Sequence, residues 1–76
     1  MFKKKEQTSS VPDKITRRVA RLSTGALGSY IETHISDVGK YTRLYDASGE
    51  TAYLEEAVTN AQVVLAIVTE MKNRAG

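Results

Sequence analysis

The sequence predicts an all-α fold, a helical hairpin that pairs by self-association into a four-helix bundle. Its long, bent first helix is expected over about 12–47 and its second over about 50–74. Three observations predict this. Apolar residues recur at spacings of three and four through both segments, the period of one helical face. Asp46-Ala47-Ser48-Gly49 interrupts them with a glycine where a left-handed helix C-cap is wanted. The second segment is also apolar nearly all round, which a single partner helix cannot cover.

Residues 1–11 are polar, charged and without period, and read as a flexible basic tail ahead of a single domain over 12–76. Ser10-Val11-Pro12-Asp13 reads as a helix start, with Ser10 as the cap, Pro12 tolerated in the first turn and Asp13 favourable against the helix dipole. Ile15, Val19, Leu22 and Ala26 then follow one helical face, and Leu27, Ile31, His34, Val38, Tyr41 and Tyr45 follow another. Steps of four through Tyr30 join the two stripes, a stutter in coiled-coil terms. The join coincides with Ser23-Thr24-Gly25-Ala26-Leu27-Gly28. Two glycines three apart cost a helix interior about 1 kcal/mol each relative to alanine. A continuous helix that bends here is expected; the competing geometry is a break, with Ser23 or Thr24 capping a new helix.

After the turn at Gly49, Glu50 is placed in the first turn of the second helix, where its charge suits the dipole. Leu54, Ala57, Val58, Ala61, Val64, Leu65, Val68 and Met71 all fall on helical spacing, and Lys72, Asn73 and Arg74 close the helix at its negative end. Between Ala61 and Val68 only Gln62 is polar, and Val63 and Ile67 lie off the stripe. A second copy of the chain is the simplest source of the missing cover, with a dimer favoured. The expected oligomer interface is Leu27, Ile31, His34, Val38, Val63, Val64, Ile67 and Met71.

The stretch Gly49-Glu50-Thr51-Ala52-Tyr53-Leu54-Glu55-Glu56-Ala57-Val58 resembles the turn and second helix of one tetratricopeptide-type repeat. In that family a Gly-acidic pair leads into Leu-x-x-Ala; here Val64-Leu65 stands where the family prefers Ala-Leu, and the Trp and Pro landmarks are missing. The resemblance implies an αα-hairpin, not a repeat array. Small dimeric helical hairpins that bind RNA offer an architectural analogy only.

Composition narrows the functions. The 76 residues contain no cysteine, so no disulfide or thiolate zinc site, and a single histidine. A chain of this length buries only about 60% of its unfolded surface, which leaves its core marginal without a partner. The basic start Lys3-Lys4-Lys5 is followed by no apolar segment, so no secretory signal is read and a cytoplasmic location is expected. Residues 1–21 carry a formal charge of +5 and residues 22–76 one of −3. Lys14, Arg18 and Arg21 form a row beside Arg17, opposite the apolar face of Ile15, Val19 and Leu22. With Lys3, Lys4 and Lys5, these are the expected contact for a polyanion or an acidic partner.

No catalytic, cofactor or metal site is expected. Glu32 and Ser36 lie two residues from His34 and so on other helical faces, which dissolves a catalytic set. His34 instead reads as a core or interface histidine hydrogen-bonded to a partner chain. Tyr41 and Tyr45 are expected to pack near the turn against Leu54 or Tyr53. The expected function is a small non-enzymatic helical protein-interaction module that self-associates and binds another macromolecule, with an unidentified protein as partner. The alternatives are a nucleic-acid-binding accessory protein using the basic arm, and peripheral association with an anionic membrane surface.

Overall fold

Three α-helices follow one another in the computed structural model, which describes residues 11–76: α1 (Asp13–Ala20), α2 (Thr24–Ser48) and α3 (Thr51–Ala75). No strand occurs among the described residues. The long helices α2 and α3, 25 residues each, pack side by side as the hairpin, and α1 lies on α3. The expected cap Ser10 and most of the expected tail lie outside the described residues. Val11, also assigned to that tail, packs against the core.

The expected continuous first helix is in fact broken. α1 stops at Ala20, Arg21 and Leu22 form a turn, and Ser23 is extended, with φ −69° and ψ 161°. Ser23 caps α2, its Oγ accepting the Ala26 N–H at 3.1 Å. The reason for the break lies in the core. Ile15 and Val19 are buried against Leu27, Ala66 and Ile67, with Leu22, Ile31, Val63 and Met71 packed around them. A straight helix would carry Ile15 and Val19 past the end of α3 into water. Burying each aliphatic side chain contributes about 1.5–3 kcal/mol, more than the few helical hydrogen bonds given up at the break. Residues 13–21 are therefore part of the folded unit and not an accessory arm.

Arg74 holds the joint. Its guanidinium donates to the carbonyl oxygens of Ala20 (3.2 Å) and Leu22 (2.7 Å) and to the Thr24 hydroxyl (3.3 Å), and it pairs with Glu70 at 2.7 Å. One side chain near the end of α3 thus satisfies carbonyls that the break leaves without helical partners.

The turn matches its sequence. Gly49 takes φ 75°, the left-handed conformation, and its N–H donates to the Tyr45 carbonyl at 2.7 Å. The Ser48 hydroxyl donates to the Leu44 carbonyl and accepts the Glu50 N–H. Glu50 stands at the N-cap position of α3, one residue ahead of the first turn where it was expected.

Candidate interaction surface

The inner contact of the hairpin follows the predicted stripe on α2. Leu27 is fully buried, and Ile31, His34, Val38, Tyr41 and Tyr45 are half-buried. On α3 the facing residues are Ala57, Asn60, Val64, Ile67 and Met71, at spacings of three and four. Leu27 and Ile67, both at 0% exposure, are covered within the chain and leave no surface for another subunit, which corrects the interface expected for them. Ile31, Val63 and Met71 pack against the same core. Val63 and Ile67 were expected to need cover from a second copy; α1 supplies it in cis.

His34 also finds its partner within the chain. Its Nδ1 lies 2.6 Å from Asn60 Oδ1, and Asn60 Nδ2 donates to the Glu56 carbonyl at 2.9 Å. With the Asn60 amide oriented in this way, Oδ1 is the acceptor and His34 Nδ1–H the donor. Asn60 is the one buried polar residue among those described, so this contact satisfies a group that would otherwise be costly to bury. Tyr30 tilts against the His34 ring at 5.8 Å between centroids. Nearer the turn Tyr41 stacks on Tyr53, centroids 6.2 Å apart, with Lys40 Nζ 4.8 Å from the Tyr41 ring centre. No group of three or more potential metal ligands occurs among the described residues.

What the fold leaves uncovered is a second stripe on α3. Leu54, Val58, Ala61, Leu65 and Val68 recur at four, three, four and three, on the side of the helix away from α1. Val58, Leu65 and Val68 are 56%, 49% and 47% exposed, and Ile35 on the neighbouring flank of α2 is 55% exposed. An open groove of about 230 Å³ lined by Ile35, Val38, Ala61 and Val64 joins the two helices on this face. Val38 and Val64 thus do edge a solvent-facing surface. The 13 residues from Ala57 to Thr69 contain no charged side chain. Sequence reasoning merged this stripe with the inner one and missed Ile35, Val58, Leu65 and Val68; the signal was two parallel heptad rows on one helix.

The expected basic contact divides at the edge of the described residues. Lys3, Lys4 and Lys5 lie outside them. Lys14, Arg17, Arg18 and Arg21 are exposed and form no ion pair among the described residues, whereas Ile15 and Val19 on the opposite side of α1 face the core. Among the described residues no helix is long and apolar enough to cross a membrane. Comparison with protein families, curated proteins and solved structures finds no match.

Proposed function

We propose that this chain is a non-enzymatic helical interaction module that self-associates, its hairpins pairing into a four-helix bundle, and that the assembled form binds another macromolecule. One observation carries the reading: the uncharged apolar face of Ile35, Val58, Ala61, Leu65 and Val68 stands in water while the core beside it is complete. An apolar patch of this kind, made of large aliphatic side chains and interrupted by no charge, is the usual mark of a contact surface. Sedimentation equilibrium tests it. The expected result is a mass of at least two chains, reverting to one in Leu65→Asp; a wild-type monomer at concentrations up to about 1 mM refutes it.

A second reading has its own support in the four cations on α1, which form no ion pair among the described residues. Lys14, Arg17, Arg18 and Arg21 could contact phosphates of a nucleic acid without disturbing the core. Binding to a labelled duplex should then fall steeply between about 50 and 200 mM salt and vanish when the three arginines are made neutral. Unchanged binding in that variant removes α1 as the site. A bilayer would meet only the charges of α1, because its apolar face is already used.

A further inference from the structure

The charges of the described residues are sorted by end. At the turn end Tyr41 lies against Tyr53, so residues 38–56 form one end; they carry Asp46, Glu50, Glu55 and Glu56 against Lys40 and Arg43, a formal charge of −2. At the open end, residues 13–21 carry Lys14, Arg17, Arg18 and Arg21 against Asp13, and residues 70–76 carry Lys72 and Arg74 against Glu70, together +4. Both groups belong to one end because Arg74 is bonded to Ala20 and Leu22. Of the stretches between, 22–37 carries Glu32 and Asp37 and 57–69 carries no charge. The apolar face runs lengthwise from the acidic pole to the basic one.

We propose that a second copy of the chain covers this face in antiparallel orientation, about a two-fold axis crossing α3 at the level of residue 63. The proposal rests on the self-association reading and adds the direction and register of pairing. A parallel pair would set +4 beside +4 and −2 beside −2, whereas an antiparallel pair lays each acidic turn over the other copy's basic end. The register follows from the outer stripe. An axis at residue 63 places Ala61 opposite Leu65, Val58 opposite Val68 and Leu54 opposite Lys72, each pair occurring twice as an isologous contact requires. A small residue meets a large one at the centre, where the groove beside Ala61 has room for the Leu65 side chain of the second copy. At the ends the Lys72 ammonium arrives beside Glu55, with its methylene stem over Leu54.

The chain has no cysteine, so a spin label on Thr51→Cys in the full chain reports one distance per dimer. Antiparallel pairing about residue 63 separates the two labels by about 35 Å, from the 1.5 Å rise per residue. A parallel pair holds them within about 20 Å, the spacing of adjacent helices plus the labels. Added salt provides a second sign: it weakens the antiparallel dimer severalfold, and would tighten a parallel one by screening its like charges. Leu65→Asp, on an exposed position that leaves the helical circular dichroism unchanged, raises the dimer dissociation constant by at least about 100-fold. A dimer with the short distance, or one indifferent to Leu65→Asp, overturns the proposed pairing while leaving self-association in place. A wild-type monomer overturns both.

Discussion

At the open end of the hairpin three helices meet, and Leu27 and Ile67 lose all contact with solvent; at the turn end two helices meet through a tyrosine stack, Ala57 and the His34–Asn60 hydrogen bond. The two ends share α2 and α3, so helix propensity does not separate them. The number of helices does. Where α1 is present, aliphatic side chains can be enclosed; where it is absent, two cylinders touch along a line and the contact falls to side chains that tolerate partial wetting, such as tyrosine and histidine. The fold therefore concentrates its hydrophobic stabilisation at one end and leaves the other to directional contacts.

The sharpest way to break this contrast is to truncate the core. Ile67→Ala should cost about 2–5 kcal/mol in urea unfolding, enough to populate unfolded chain at room temperature in a protein of ordinary marginal stability. Leu44→Ala, at an exposed position near the turn, should stay within about 0.5 kcal/mol. Equal losses would mean that burial is spread along the hairpin.

Next in size is the polar contact. Asn60→Ala strands the His34 N–H and should cost about 1–3 kcal/mol, whereas the double change of Asn60→Leu and His34→Leu should recover most of the loss, since neither partner is then left unpaired. A double variant as unstable as the single one would show that the pair matters for more than its own satisfaction.

That pair also explains what was legible in the sequence. The α2 stripe, the Gly49 cap and the span of α3 follow from local spacing and turn chemistry, and they stand in the structure nearly where expected. The inner face of α3 does not follow in this way. Its two heptad rows are both helical in period, and the row containing Leu54, Val58 and Leu65 is the more apolar, yet the fold buries the row with Asn60, whose amide His34 satisfies and whose Ile67 packs with Leu27 and α1. The break at 21–23 was hidden for a related reason. Ser23-Thr24-Gly25 admits a break as well as the expected bend, and the choice is made by α3, more than 40 residues further along, where Ile67 needs cover.

The last prediction sharpens the contrast at the joint. Arg74→Ala removes the hydrogen bonds to Ala20, Leu22 and Thr24; with 29% of the side chain exposed to screening solvent, a loss of about 1–2 kcal/mol is expected. Amide hydrogen exchange should accelerate in α1 and at Leu27, while amides near Tyr41 and Tyr53 keep their protection. Uniform acceleration along all three helices would mean that α1 is not a separable unit.

The reach of Arg74 back to Ala20 has a consequence in time. The hairpin can close from its turn, starting with Tyr41 and Tyr53 only 12 residues apart, but α1 is secured by a residue 54 positions later. A growing chain must expose Ile15 and Val19 until Ala66 and Ile67 have been made, so α1, synthesised before α2 and α3, is the last of the three to be seated. During that interval the unseated helix offers its apolar side to whatever surface is nearest, including the same helix on a neighbouring chain.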